Sequence, residues 1–362
     1  MGGIEDRIKD IEEELKKTEY NKATEHHIGI LKAKLAKLQA EANERHGSGG
    51  GGFAIPKSGD ATIALVGFPS VGKSSLLNAM TGTESKVGSF AFTTLKVIPG
   101  TLDYRGAQIQ ILDLPGIIEN AALGSGRGRE VLSMVRSADL ILIITDTDMK
   151  GIDRIVSELE KVGIVVNRRK KNIAMKKANK GGIKIHKPKN VKIDNGEIKA
   201  VIKEFKITNA DLYIRENVTM EDIIDFLSGN RVYAKSLVVV NKIDIPHDTR
   251  KVKRESAKYP RVVKVSASTG VGVEELKEKI YDELDLVRVY LRKKSGDVDF
   301  ERPLVLTRGA TVREVCRRVS REMLRSFRYA LLTRNNNKVI DQRVGLDYDI
   351  EDEDIVTIVS RN

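Results

Sequence analysis

The chain opens with apolar residues at helical spacing. Ile4, Ile8, Ile11 and Leu15 recur every three or four positions, and Ile28, Leu31, Leu35 and Leu38 do so again. Between them, Thr18-Glu-Tyr-Asn-Lys-Ala-Thr24 supplies capping residues. This predicts a helical hairpin over residues 1–46 rather than one rod. Each stripe spans only a few turns, too little for a free coiled coil. The hairpin is therefore expected to dock on the rest of the chain or on a partner. Gly47-Ser-Gly-Gly-Gly-Gly52 then breaks the pattern, and 47–60 reads as a flexible linker.

From Thr62 the period changes. Thr62–Val66, Gln108–Leu112, Leu140–Thr145, Leu237–Val240 and Val262–Val265 are short, continuous runs rich in β-branched residues and leucine. Strands of this kind are buried on both faces, as in a mostly parallel sheet covered by helices, so the fold class is α/β over 61–163 and 232–290. About ninety residues separate the runs at Leu140 and Leu237, far more than a crossover needs. The excess, 164–231, is expected to be an inserted β-α subdomain. A helix over Val273–Leu286 closes this part. Residues 300–362 read as strand (Leu304–Leu306), helix (Thr311–Met323), strand (Tyr329–Leu332), turn (Asn335-Asn-Asn337) and strand (Ile355–Val359), an order that suits a small β-grasp domain.

Composition narrows the setting. Among 362 residues, 40% are hydrophobic and 31% charged, enough for ordinary cores in two or three domains. The longest apolar runs are too short to cross a bilayer and the start does not read as a signal peptide, so a cytoplasmic protein without a membrane partner is expected. Cys316 alone cannot form an internal disulfide or a Cys-rich metal site. The net charge of +12 is unevenly spread. Between Lys161 and Ile193 there is no Asp or Glu, while Arg168, Arg169, Lys170, Lys171, Lys176, Lys177, Lys180, Lys184, Lys187, Lys189 and Lys192 all fall there. Such a run is either a solvated loop or a contact for a polyanion such as RNA. A second candidate surface is the stripe Arg313, Arg317, Arg321 and Arg325, interleaved with Glu314 and Glu322.

The candidate chemistry lies between Gly67 and Ser268. Gly67-Phe68-Pro69-Ser70-Val71-Gly72-Lys73-Ser74 follows the first strand and opens a helix at Leu76–Met80, with Ser75 in its first turn. A glycine-rich loop of this spacing lets backbone N–H groups wrap phosphates at a helix N-terminus. Lys73 would reach the β- and γ-phosphates, and Ser74 would bind Mg²⁺. Asp113-Leu-Pro-Gly116 comes about forty residues later, at a strand end. Asp113 would hold Mg²⁺, and the Gly116 N–H would sense the γ-phosphate. Asn241-Lys242-Ile243-Asp244 follows another strand. The Asp244 carboxylate can accept from guanine N1 and N2, a donor pair adenine lacks, which also argues against a metabolic kinase using the P-loop. Lys242 would lie along the base, Asn241 would brace the phosphate loop, and Ser266-Ala267-Ser268 would offer the Ala267 N–H to guanine O6. Between the first two motifs, Phe90-Ala-Phe-Thr93-Thr94-Leu95 can supply a threonine hydroxyl to Mg²⁺, and the residues alone leave Thr93 and Thr94 both open.

Together these motifs resemble the Obg branch of translation-factor-related GTPases. The Asn21–Thr24 segment, the glycine run, the insertion and Arg302-Pro-Leu…Gly309-Ala-Thr-Val312 narrow the resemblance to the developmentally regulated GTP-binding protein family, in its archaeal or eukaryotic form. The resemblance implies a P-loop GTPase domain, an N-terminal helical region, an inserted subdomain and a C-terminal TGS domain. It implies GTP hydrolysis, a role near ribosomes or RNA, and Thr94 as the Mg²⁺ ligand. The alternative is a GTP-dependent binding or scaffold module with incidental hydrolysis, acting through a protein partner that stabilises or activates it. Ras-like enzymes orient the attacking water with a glutamine directly after the motif's glycine; here that residue is Ile117. Related GTPases use K⁺ at the phosphates through a P-loop asparagine, and Ser70 departs from that.

Overall fold

The computed structural model describes residues 3–19, 21, 24–47, 59–81, 98–114, 134–161, 163–229, 231–292, 296–334 and 339–361. The chain divides into two compact units, Met1–Gly52 with Leu159–Tyr233, and Phe53–Glu158 with Ala234–Asn362. Most of the 47–60 linker and the Asn335–Asn337 turn fall outside the described residues.

The N-terminus forms α1 (Ile4–Lys17) and α2 (Glu25–Gly47), tied by His27 Nε2 and Glu14 Oε1 at 3.0 Å. Next come β1 (Ala61–Gly67), α3 (Lys73–Thr81), β2 (Ile98–Tyr104), β3 (Ala107–Asp113), β4 (Leu140–Thr145) and α4 (Ile152–Lys161). The insertion contributes β5 (Ile164–Val166), β6 (Ile173–Lys177), β7 (Ile183–His186), α5 (Asn195–Glu204), β8 (Ala210–Ile214) and α6 (Met220–Ser228). The chain then returns through β9 (Val232–Val240), α7 (Thr249–Ser256), β10 (Val262–Lys264) and α8 (Val273–Leu284). It ends in β11 (Leu286–Leu291), β12 (Leu304–Thr307), α9 (Val312–Val319), α10 (Arg321–Arg325), β13 (Phe327–Arg334), β14 (Val339–Val344) and β15 (Asp354–Ser360).

The first sheet runs β10-β9-β4-β1-β3-β2. Every neighbouring pair in that order is parallel except β2 with β3. β1 and β4 are buried along their whole length, as their continuous apolar runs require. Leu76, Leu77 and Met80 on α3 join Ile63, Leu65 and Ile144 in the same core. This packing fixes the carboxyl ends of β1, β3, β9 and β10, where the loops carrying the motifs begin.

The insertion folds into a three-stranded sheet, β6-β8-β7. One face buries Ile173, Leu212, Ile214 and Ile183 against Ile198 and Ile202 of α5 and Ile223 of α6. Caps fix those helices: the Asp194 carboxylate accepts from Glu197 N, and Thr219 with Asp222 forms a reciprocal capping box. In the same unit α2 packs on α5 and α6, with Ala33, Val201 and Ile224 in one cluster. Lys37 Nζ donates to Glu204 O at 2.9 Å, and Lys32 pairs with Glu221. The apolar stripe of the second helix is thus satisfied within the chain, each buried Leu or Ile contributing about 1.5–3 kcal/mol.

The C-terminal sheet runs β12-β11-β15-β13-β14, with β11 and β15 parallel, a β-grasp arrangement. It takes in β11, which lies ahead of the start expected at 300, because Val287 and Val289 pair with Leu306 and Leu304. The helix expected over Thr311–Met323 is two helices. Ser320 takes an extended conformation (φ −163°, ψ 153°) and its Oγ accepts from Met323 N at 2.9 Å, so it ends α9 and caps α10. The four arginines do not form one continuous stripe. Arg313 pairs with Asp347 at 2.7 Å, Arg317 with Glu314 at 3.6 Å, and the neighbouring Arg318 with Asp60 at 2.7 Å.

Candidate nucleotide site

The loop between β1 and α3 is shaped by two glycines. At Gly67 a Cβ would meet Ile144 O at 2.5 Å, so only glycine lets β1 and β4 approach this closely at their ends. Gly72 has φ +90°, and a Cβ there would meet Asn241 Nδ2 at 2.4 Å. Between them Ser70 is held at φ 62°, turning the Val71 carbonyl toward Asn241 and the Ser70 carbonyl toward Lys242. Phe68 packs against the main core, while Pro69 and Ser70 form the exposed outer lip.

Lys73 opens α3, and its Nζ donates to Gly67 O and Phe68 O, both at 3.1 Å, at the centre of the loop. Ser74 is next, with Ser75 exposed beside it; Ser74 Oγ donates to Asp113 Oδ2 at 2.5 Å. Asp113 is only 4% exposed, and its Oδ1 has no hydrogen-bond partner among the described residues. A buried carboxylate oxygen without a donor is costly unless a cation or water meets it. Paired with a serine hydroxyl at a helix N-terminus, it is the hard oxygen set that Mg²⁺ takes. The residues fit the ion.

Asn241 joins three of the motifs. It is 2% exposed at the end of β9; its Nδ2 donates to Val71 O at 3.0 Å and lies 3.5 Å from Gly72 O. Its Oδ1 accepts from Ala267 N at 3.0 Å. The Ala267 N–H assigned from sequence to guanine O6 is therefore held by Asn241, and it can serve a base oxygen only as a shared donor. Lys242, at φ 65°, donates from Nζ to Ser70 O at 2.6 Å. Asp244 sits on the open rim, where its Oδ2 accepts from Ser268 Oγ at 3.0 Å. The Ser266 hydroxyl foremost, then Ser268 and Lys242, holds its carboxyl below the usual range, which keeps it a charged acceptor. Ser266 and Ser268 hydroxyls lie 3.0 Å apart, and Ser266 Oγ also accepts from Thr269 N, fixing the turn.

The structure thus brings Gly67–Ser74, Asp113, Asn241–Asp244 and Ser266–Ser268 to one end of the sheet. Thr93, Thr94, Gly116 and Ile117 lie outside the described residues. The motifs gave no sign of the cleft beside the loop, lined by Phe68, Thr145, Asp146, Lys150 and Arg154. The Arg154 guanidinium lies 5.9 Å from the Phe68 ring centroid. The only signal was position: the cleft follows β4, whose end adjoins the loop.

Among the described residues no helix is long and apolar enough to cross a membrane. Residues 62–177 match the family described as 50S ribosome-binding GTPase, 180–286 the C-terminal region of the MMR_HSR1 domain, and 287–360 the TGS domain. The chain is 49% identical to an uncharacterized GTP-binding protein of Methanocaldococcus jannaschii, over 99% of this chain and 93% of that one. It is 42% identical to Developmentally-regulated GTP-binding protein 2 of Homo sapiens, over 99% of this chain and 100% of that one. Among solved structures it is similar to a GTP binding protein from Pyrococcus horikoshii OT3 at 16% identity and a TM-score of 0.45, over 83% of this chain and 100% of that one. With the phosphate loop, the guanine-type motif and a TGS domain in one chain, and relatives matched end to end, this GTP-binding protein belongs to the developmentally regulated GTP-binding protein family of Obg-type GTPases.

Proposed function

We propose that the chain hydrolyses GTP to GDP and phosphate with Mg²⁺, and that its output is a nucleotide-dependent contact with ribosomes or RNA. The observation that carries the hydrolytic reading is the convergence at one helix N-terminus of Lys73, Ser74 and the Asp113 Oδ1, which has no partner among the described residues. In this reading Lys73 exchanges its loop carbonyls for β/γ-phosphate oxygens, and loop N–H groups cradle the rest of the chain of phosphates. Ser74, Asp113 and Thr94 hold Mg²⁺, which when bound neutralises charge on the β- and γ-phosphate oxygens. The Gly116 N–H meets the γ-phosphate. Water adds to the γ-phosphorus, the bond to the bridging oxygen breaks, and GDP leaves. Asp244 selects guanine, because a base without the N1/N2 donor pair leaves its carboxylate unpaired.

Ile117 can neither donate to nor accept from the attacking water, so slow intrinsic turnover is expected, with the water placed by backbone, an ion or a partner. This favours a second reading, in which GTP mainly sets the shape of a binding module that acts through a protein partner. Turnover measured with and without ribosomes and K⁺ separates the two. Stimulation supports the regulatory GTPase, and turnover indifferent to every addition supports the module. Ribosome co-sedimentation in GDP against a non-hydrolysable GTP analogue tests the output. The matched family's description as ribosome-binding and the basic insertion support looking there first.

A further inference from the structure

Among the described residues, helices cover one face of the inserted sheet and leave the other open. Side chains alternate along a strand, so with Ile173, Met175, Leu212, Ile214, Ile183 and Ile185 packed inward, the intervening residues share the outer face. The registers order that face into rows. Lys184, Asp211 and Lys176 lie side by side, followed by His186, Tyr213 and Ala174. Arg215 comes one step further along, its backbone N donating to Asn172 O at 3.1 Å. Each step is about 6.6 Å, two strand residues.

Two features set this face apart. The His186 and Tyr213 rings are stacked, with centroids 4.6 Å apart and planes within 9°. That separation is close to the spacing of neighbouring strands, so the rings stand upright beside each other, each covering one face of its neighbour. The other face of Tyr213 overlooks Ala174, too small to fill the space, and Tyr213 is 36% exposed. The second feature is charge. Lys176, Lys184 and Arg215 are exposed and flank the aromatic row on both sides. Asp211 lies among them, 3.5 Å from His186 Nε2, and leaves the face net positive. Elsewhere in the basic block three cations are held by neighbours: Arg168 by Glu160, Arg169 by Glu216 at 2.5 Å, and Lys171 by Asn217 O at 3.2 Å.

We infer that the outer face of the β6-β8-β7 sheet binds single-stranded RNA, with a base stacked on the open face of Tyr213 above Ala174 and phosphates met by Lys176, Lys184 and Arg215. An aromatic platform rimmed by cations fits an unpaired strand, because a splayed base offers a flat π-face and every phosphate a charge. A duplex hides its base faces and could use only the rim. This rests on the reading of the chain as directed to ribosomes or RNA, and assigns the contact to particular side chains.

The test is fluorescence anisotropy of the full chain with a short labelled single-stranded RNA of mixed sequence, and with the same sequence as a duplex. Tyr213→Ala should weaken single-strand binding roughly fivefold to a hundredfold, the range that loss of one base–aromatic stack covers. Tyr213→Phe keeps the ring and should keep the affinity. Lys176→Ala with Lys184→Ala should flatten the plot of log affinity against log salt by about 0.7 for each phosphate no longer neutralised. GTP affinity and thermal melting serve as controls for folding and should not move. Equal single-strand affinity for Tyr213→Ala and wild type would overturn the inference, as would a Tyr213→Phe variant as weak as Tyr213→Ala. If wild type sediments with ribosomes yet ignores the single strand, only this assignment falls. If it does neither, the wider ribosome or RNA reading falls with it.

Discussion

Asn241→Ala probes the joint on which the nucleotide site depends. The side chain is 2% exposed and makes two good hydrogen bonds, to Val71 O and from Ala267 N, both at 3.0 Å. The 3.5 Å approach to Gly72 O is too long to add much. Each good bond is worth about 1 kcal/mol net, and removing the amide also strands the Val71 carbonyl, which lies in a buried residue. The half-buried Ala267 N–H can turn to water, so its loss is the smaller one. Together the change costs about 2–4 kcal/mol, shared between the resting fold and the shape of the phosphate loop. If about 2 kcal/mol falls on the loop, GTP affinity drops roughly 30-fold. Displacement of a fluorescent GDP analogue, run beside thermal melting, reads both shares. Asn241→Asp keeps the volume but sets an oxygen against the Val71 carbonyl, and is expected to be equally harmful. Nucleotide affinity within about twofold of wild type, under about 0.5 kcal/mol, with unchanged melting would refute the bracing role.

Asp244→Asn replaces an acceptor with a donor where guanine offers its amine; GTP should weaken and xanthine nucleotide gain, and a competition assay with no such exchange would contradict the base-reading role. Lys73→Ala should lower nucleotide affinity and nearly abolish single-turnover hydrolysis, whereas an unchanged rate would remove Lys73 from the chemistry. Arg334→Met breaks a forked pair with Asp354, made at 2.9 and 3.1 Å to a carboxylate that is 0% exposed. Among the described residues Asp354 would keep only the Glu351 N–H, which donates to its Oδ2 at 2.8 Å, so its buried charge would have no cation. The loss should cost about 3–5 kcal/mol, seen as earlier urea unfolding of the C-terminal domain, and an unshifted midpoint would show the pair to be dispensable.

Much of the nucleotide site was legible because its motifs depend on backbone shape that only certain residues tolerate. Gly72 must be glycine beside Asn241, and that spacing survives in the sequence however the rest of the chain packs. The central strands were legible for a related reason: strands buried on both faces leave continuous apolar runs. β2 was missed because an antiparallel edge strand, Ile98-Pro-Gly-Thr-Leu-Asp-Tyr104, carries no such run. The split of the expected helix at Ser320 escaped because Val315, Val319 and Met323 keep helical spacing across it, while a serine that caps looks the same as a serine that does not. The donor held by Asn241 at Ala267 N joins residues on different loops, a contact no local pattern encodes. The stacked pair on the insertion escaped for the same reason, since His186 and Tyr213 meet only when β7 and β8 pair.

The most direct test of the central claim is single-turnover hydrolysis of γ-labelled GTP by the purified chain in Mg²⁺, with unlabelled ATP in excess. The account expects slow release of labelled phosphate that ATP does not suppress, that chelation of Mg²⁺ stops, and that Lys73→Ala abolishes. Phosphate release suppressed by ATP as well as by GTP, or equally fast in Lys73→Ala, would contradict it.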